Sequence, residues 1–342
     1  MNIAEMGLDA FLSRNNITAE DFEKCELDWE LIKSIGVNHQ SNIDKLEDLA
    51  ESCTKTIQRF DKVHSVRWRV KNAEHLMEKI VRKTTKRSGY YNKEYLNISV
   101  ENYIEMVTDL IGIRALHLFK QDCVEVINEL EDTWEKFEAI TAYIRKGDSE
   151  KEYKEQDAWE VKEHKAGYRS IHFVFSTSPY KSKVFVEVQV RTIFEEGWSE
   201  IDHKIRYPNF SNNADIGAFL DIFNRLSGSA DEMGSFVKAL STMIQHNKTE
   251  VDRLENENQE HKNKINDLLE KLKNKTSTDD ISSLVTNLQT EIMNYSSLTQ
   301  VATQLQHPNL YNAIEQFSNT ARVTDGLTDA LINSYNKSVN KK

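Results

Sequence analysis

Residues 184–192, VFVEVQVRT, alternate so strictly that a β-strand is the one regular structure that fits them. Successive strand side chains point to opposite faces, so Val184, Val186, Val188 and Val190 share one face, and Glu187, Gln189 and Arg191 share the other. The valines require a core beneath them. A carboxylate, an amide and a guanidinium in a row on the other face mean either a sheet surface open to water or the floor of a polar site.

The chain supplies such a core: of its 342 residues 39% are hydrophobic, which suits one large or two ordinary domains. A net charge of −11 argues against a protein built mainly to coat nucleic acid, and leaves room for a local basic patch. Cys25, Cys53 and Cys123 are too widely spaced for a disulfide framework or a zinc site, and read as reduced thiols. The amino terminus lacks a basic region followed by an apolar one, and no run of about 18 apolar residues occurs. A cytoplasmic chain without membrane segments is expected.

Residues 1–60 read as a helical prelude: LDAFLSRNN, then AEDFEKCELDWELIKSIG capped by Thr18, then SNIDKLEDLAESCTKTIQRF capped by Ser41. Over residues 61–210 strand-like and helix-like stretches alternate. VHSVRWRVK, DLIGIRAL, FEAITAYIR, GYRSIHFVF and KVFVEVQVR are the strands; NAEHLMEKIVRK, QDCVEVINELEDTW and TIFEEGWSEIDHKIRY are the helices. The pattern predicts an α/β (α+β) domain, a mixed sheet of about five strands flanked by helices, with the last two antiparallel across the short STSPYKS turn. Residues 211–342 carry no strand signal and read as long helices. Val251, Leu254, Ile265, Leu268 and Leu272 fall at heptad spacing, but Asn258 and His261 interrupt the seam, so a two-stranded coiled coil and a hairpin folded on itself both remain open. KNKTSTDD reads as a linker to a further helix capped by Asp279 or Asp280.

Charge gathers at particular places. Arg67, Arg69 and Lys71 share one strand face, and Lys71, His75 and Lys79 continue the line at i, i+4, i+8 along the following helix. Such cations either form a solvated stripe or meet a polyphosphate. Asp109 precedes the strand that holds Arg114, as a turn residue or a Mg²⁺ ligand; the two meet only if the strand begins after Asp109 or bulges near Gly112. Tyr168 and His172 share a face, either packed or touching a nucleotide. The polar stretch RKGDSEKEYKEQDAWEVKEHKAG reads as a mobile loop whose Lys162 and Lys165 could close over an anion. In TIFEEGWSEIDHKIRY, Phe194, Trp198, Ile201 and Ile205 form an apolar face and Glu196, Glu200, His203 and Tyr207 a polar one; His203 and Lys204 read as surface residues or as ligands. No GxxxxGK[ST] sequence is present, so a bound triphosphate would not sit in a P-loop.

In this order the motifs resemble the synthetase domain of the RelA/SpoT homologue family, the makers of ppGpp and pppGpp. RVKNAEHLMEK is similar to the family's RxKxxxSxxxK, DLIGIR to DxxGxR, GYRSIH to GYxSxH, EVQVRT to ExQxRT, and WSEIDHKIRY to the helix that follows. The likeness spans residues 60–210 and implies a nucleotidyltransferase-like fold of the small, hydrolase-free type, extended by carboxy-terminal helices. It implies transfer of the β,γ-pyrophosphoryl group of ATP to the ribose 3′-hydroxyl of GDP or GTP, with AMP released. Arg69 and Arg114 would then sandwich adenine, and Lys71, His75 and Lys79 would hold the ATP phosphates. Asp109 and Glu187 would bind Mg²⁺, Glu187 also taking the proton of the attacking hydroxyl. Tyr168 would stack on guanine, with Lys165, His172, Gln189, Arg191, His203 and Lys204 completing the acceptor side.

His75 stands where the family motif has serine, replacing a hydroxyl by an imidazole that donates only in the right tautomer or charge state. That change, with the basic RKTTKR at residues 82–87, keeps a second acceptor in view, the 3′ end of tRNA. A third reading is a nucleotide sensor without turnover. The carboxy-terminal helices are expected to drive homo-oligomerisation or to regulate the enzyme.

Overall fold

The computed structural model describes residues 2–86, 89–146, 148, 153, 159–164, 167–179, 182–205, 214–273 and 278–306. It divides into two compact units, Met1–Asp231 and Glu232–Lys342. In chain order the α-helices are α1 (Leu8–Arg14), α2 (Ala19–Glu23), α3 (Trp29–Ile57), α4 (Ala73–Thr84), α5 (Tyr103–Met106), α6 (Asp122–Thr133), α7 (Ile193–Ile205), α8 (Ala214–Lys273) and α9 (Thr278–Gln306). The strands are β1 (Ser65–Val70), β2 (Ile111–His117), β3 (Ile140–Ile144), β4 (Trp159–Glu163), β5 (Ser170–Thr177) and β6 (Val184–Thr192).

The strands form one mixed sheet in the order β1-β2-β6-β5-β3-β4. β6 lies at its centre, parallel to β2 and antiparallel to β5. Its valines are buried as the alternation requires, in a layer with Ile111, Ile113, Phe173 and Phe175. Leu46, Leu49 and Ile57 of α3 and Val126, Ile127 and Leu130 of α6 complete that core. With both helices on one face, the other carries the polar side chains. A second core joins the amino-terminal residues to α4 and α5.

All five expected strands are present, and β4 is a sixth, within the stretch read as a mobile loop. Trp159 and Val161 alternate with Glu160 and Lys162, but over too few residues in a charge-dense stretch to stand out. Pairing with β3 along one side suffices for an edge strand, and Trp159 alone packs against the core. Thr18 caps α2 as expected, its hydroxyl accepting from the Asp21 N–H. Ser41 is not a cap: α3 runs unbroken from its own cap, Asp28, and the Ser41 hydroxyl bonds back to the Asn38 carbonyl at 2.7 Å. α9 begins at Thr278, so Asp279 and Asp280 lie inside it.

The largest reversal is in α7. Of the face read as apolar only Trp198 is buried, donating to the Leu220 carbonyl at 3.1 Å; Phe194, Ile201 and Ile205 are exposed. Glu195 and Glu196 are buried instead. The surface beneath this helix is cationic, so carboxylates face inward.

In the carboxy-terminal unit the two residues that interrupt the heptads make the helix-to-helix contacts. Asn258 donates to the Thr299 hydroxyl at 3.2 Å, and His261 bonds Glu291. Residue numbers rise along α8 as they fall along α9, so the pair is an antiparallel hairpin, one of the two arrangements left open above. No helix among the described residues is long and apolar enough to cross a membrane.

Candidate active site

Cross-strand register builds the site. Arg67 and Arg69 of β1 lie opposite Arg114 and Gly112 of β2; Gly112 and Arg114 lie beside Glu187 and Gln189 of β6; Gln189 lies opposite His172 of β5, and His172 opposite Thr141 of β3. Paired residues share a face, so these side chains form one polar floor behind the apolar layer. The Arg69 side chain lies over Gly112, at a distance of 3.8 Å from where a Cβ would stand, which is ordinary contact.

At the centre Glu187 belongs to a closed hydrogen-bonded ring. His172 Nδ1 is 3.2 Å from Glu187 Oε1, and Gln189 Nε2 donates to Glu187 Oε2 at 2.8 Å. Arg191 donates from Nη2 to Gln189 Oε1 and, at 2.6 Å, to the Tyr168 hydroxyl, which lies 3.2 Å from His172 Nε2. The Arg191 guanidinium also stacks 4.9 Å from the Tyr168 ring centre. Burial by itself would push Glu187 upward; the His172 and Gln189 contacts, acting against the charge of Asp109, hold it below the ordinary carboxylate range. Burial raises the Tyr168 phenol, keeping it a neutral aromatic surface.

Asp109 forms the second focus. β2 begins after it, at Ile111, which frees it from the strand's alternation. Lys71 Nζ is 3.1 Å from Asp109 Oδ2 and Lys79 Nζ 2.7 Å from Oδ1. Burial disfavours the Asp109 charge, but the two ammonium groups more than offset it and keep the pKa low. Lys71 lies just before α4 and outside it, because Asn72 caps the helix. Its carbonyl is fixed by His39 Nε2 at 2.6 Å. His75 sits below its usual pKa through burial and the nearby Lys71, so the imidazole in the serine's place is neutral near pH 7. Asp109 and Glu187 are ionised hard-oxygen donors, which fit Mg²⁺. Among the described residues no group of three or more His, Cys, Asp or Glu side chains forms a metal site, so phosphate and water oxygens would have to complete the shell.

The inward carboxylates of α7 hold the arginines. Glu196 is 2.8 Å from Arg114 Nη1 and 3.1 Å from Arg191 Nη1, and Glu200 is 2.6 Å from Arg114 Nη1 and 2.9 Å from Arg67 Nη1. The anion demanded by the β1 cations is thus partly the protein's own. Sequence reasoning placed Glu196 and Glu200 on the helix's polar face without giving them this task; their i, i+4 spacing beside ExQxRT was the available signal. It also missed Tyr143 of β3, whose ring stands 4.8 Å from that of His172 and 6.1 Å from that of Tyr168, and His164, 5.3 Å from Tyr168. Together they form an aromatic wall.

Other expected site residues stand apart. His203 and Lys204 are exposed in the last turn of α7, outside the ring. Lys162 pairs with Glu160 at 2.7 Å on β4. Lys165 and Tyr207 lie outside the described residues.

A buried charged network lies beside the ring. Arg169 binds Asp148 and, at 3.0 Å, Glu195; the Glu195 N–H donates to the Thr192 hydroxyl at 3.1 Å, which donates to Asp231 at 2.9 Å. Burial, with Glu195 nearby, pushes the Asp231 carboxyl up to about 7. Its proton is therefore kept in the folded state while the unfolded chain loses it near pH 4, so this group's stabilisation falls as pH rises from about 4 to about 7. Asp231→Asn should remove that slope, gaining stability over the wild type at pH 8 and little at pH 4, as read by thermal melts at both.

The polar floor, the two carboxylates and the surrounding cations form an arrangement chemically suited to a phosphorylated ligand. Residues 68–212 match the family described as "Region found in RelA / SpoT proteins". Among curated proteins the chain is similar to GTP pyrophosphokinase YjbM of Bacillus subtilis (strain 168), 28% identical over 115 residues, which are 32% of this chain and 46% of the relative; the match thus spans about half of that protein's length. Solved structures of small alarmone synthetase 1 from Bacillus subtilis are also similar. The one bound to its product pppGpp is 21% identical with a TM-score of 0.39, covering 59% of this chain and 94% of that one. The one bound to AMPCPP is 20% identical with a TM-score of 0.37, covering 59% and 93%.

Proposed function

We propose that the chain is an alarmone synthetase, a GTP diphosphokinase that makes ppGpp or pppGpp and AMP from ATP and GDP or GTP. The observation that carries this reading is the placing of Glu187, held ionised in its ring, on the same sheet face as Arg114 and beside the Lys71–Asp109–Lys79 cluster. The acceptor's 3′-oxygen attacks the β-phosphorus of ATP, the bond from that phosphorus to the α,β-bridging oxygen breaks, and AMP leaves. Glu187 takes the hydroxyl proton. Lys71 and Lys79 neutralise the phosphates, Arg69 and Arg114 stack on adenine, and Tyr168, stiffened by Arg191, stacks on guanine. Mg²⁺ held by Asp109 and Glu187 would cancel phosphate charge. The rest is in-line positioning.

Incubation with ATP and, separately, GDP, GTP, GMP or deacylated tRNA, with products separated by chromatography, tests the reading. AMP with a pyrophosphorylated guanine nucleotide is expected, and label on tRNA alone would replace that acceptor. The basic stretch that raised the tRNA reading is partly neutralised: Arg82 is 3.1 Å from Glu78 and Lys86 2.9 Å from Glu26. Nucleotide binding without AMP would favour a sensor.

A further inference from the structure

We propose that Asn224, on the carboxy-terminal helix α8, is a positioning residue of the acceptor subsite: it fixes the spacing between the Tyr143 and Tyr168 walls and so helps to set affinity for the guanine nucleotide. The proposal rests on the acceptor reading given above. Asn224 is 4% exposed, and its amide works in two directions. Nδ2 donates to the Gly167 carbonyl at 3.0 Å, while Oδ1 accepts from Arg145 Nη1 at 3.0 Å. The Asn224 backbone carbonyl receives the same guanidinium at 3.3 Å.

Those two partners adjoin the two strands that form the aromatic wall. Arg145 directly follows β3, which carries Tyr143; Gly167 immediately precedes Tyr168, which leads into β5. One buried amide therefore ties the end of one strand to the beginning of the other. Gly167 has φ +71, and a Cβ there would stand 3.1 Å from Asn224 Nδ2, so both the turn and the close approach call for glycine. The Gly167 N–H is also held, by the His164 carbonyl at 2.9 Å. Tyr168 is thus fixed at its backbone end by Asn224 and at its hydroxyl end by Arg191 and His172.

The face of α8 that docks here is narrow. Asn224, Gly228 and Asp231 stand at i, i+4 and i+7. At Gly228 a Cβ would come within 2.8 Å of Arg169 Nη1 and 3.0 Å of Arg145 Nη1, so the bare backbone lets the guanidinium groups pass beneath the helix. Asp231 anchors the same face through Thr192 at 2.9 Å. Helix α8 therefore reaches the acceptor wall through an aligned contact, with Asn224 at its tip.

Asn224→Asp separates the two roles, because a carboxylate keeps the acceptor for Arg145 and loses the donor to Gly167. Binding of GDP and of a non-hydrolysable ATP analogue is measured by calorimetry on the full chain, for wild type, Asn224→Asp and Tyr168→Ala. We expect Asn224→Asp to weaken GDP about tenfold, the size of one lost buried hydrogen bond, with ATP-analogue affinity unchanged. Kinetically, the GDP KM should rise with kcat nearly constant. Should the aspartate fail to fold, Asn224→Ala, which removes both side-chain bonds, takes its place, and analogue binding certifies the folded state. Wild-type affinity for GDP in a folded Asn224 variant, while Tyr168→Ala weakens it, overturns the role of Asn224 alone. Equal weakening of both nucleotides overturns it as well, by showing general damage. No GDP binding by the wild type overturns the acceptor reading and this proposal with it.

Discussion

Glu187→Gln is expected to lower AMP production from ATP plus GDP by about a thousandfold or more, while nucleotide binding changes by only a few-fold. The substitution preserves shape, and an amide can still meet His172 and Gln189, so the central strand keeps its place. It removes the proposed proton acceptor and one hard oxygen charge together. In the native ring His172 and Gln189 hold that charge ionised, so activity should persist on acidification until the pH nears Glu187's depressed pKa. Initial rates of wild type and variant at saturating nucleotide, with binding measured separately, check this. A variant that releases AMP at the native rate would remove Glu187 from the chemistry.

Asp109→Asn should cost both activity and stability. Lys71 and Lys79 stand within 3.1 and 2.7 Å of its oxygens, with side chains only 17% and 12% exposed. Their responses already differ. Asp109 raises Lys79 above its ordinary value against the effect of burial, whereas for Lys71 burial, with Lys79 and Arg69 beside it, outweighs the same attraction. Without the carboxylate, two ammonium groups face each other in a poorly solvated site, and a loss of about 3 kcal/mol is expected from denaturant unfolding. Adding Lys71→Met should recover roughly half of that loss by removing one unpaired cation, and restore no activity. An unfolding midpoint for Asp109→Asn equal to the native one would show that the triad does not support the fold. Retained turnover would show that the carboxylate is not needed.

The parts legible in the sequence are those in which one residue's neighbours along the chain decide its environment. Val184 to Val190 alternate against a fully apolar layer, so β6 and its partners β2 and β5 could be read directly. β4 could not, because an edge strand with Glu160 and Lys162 outward needs a single ladder and little burial. The face of α7 was misread for a deeper reason: amphipathic patterning assumes an apolar underside, and here the underside is a sheet face bearing Arg67, Arg114 and Arg191. Ser41 looked like a cap because its side chain suits one, yet the same hydroxyl is satisfied inside a helix by bonding backward. The motif residues pointed to one polar floor, but Tyr143, Glu196 and Asn224 join the site through cross-strand register and helix docking, which no local spacing encodes.

The charge arrangement described for α7 bears on which solutes the basin admits. Arg67, Arg114 and Arg191 rest on Glu196 and Glu200, and Lys71 and Lys79 rest on Asp109, so five cations share three carboxylates and much of their charge, though not all, is offset at rest. An incoming anion must trade places with resident carboxylates. Chloride or a lone phosphate can displace one such contact, and gains little by it. A ligand with several phosphates and a flat ring can exchange many at once, each exchange raising the local concentration for the next. On the proposed function, built-in counter-ions would act as a filter on valence, favouring molecules that carry several charges in one frame over small ions.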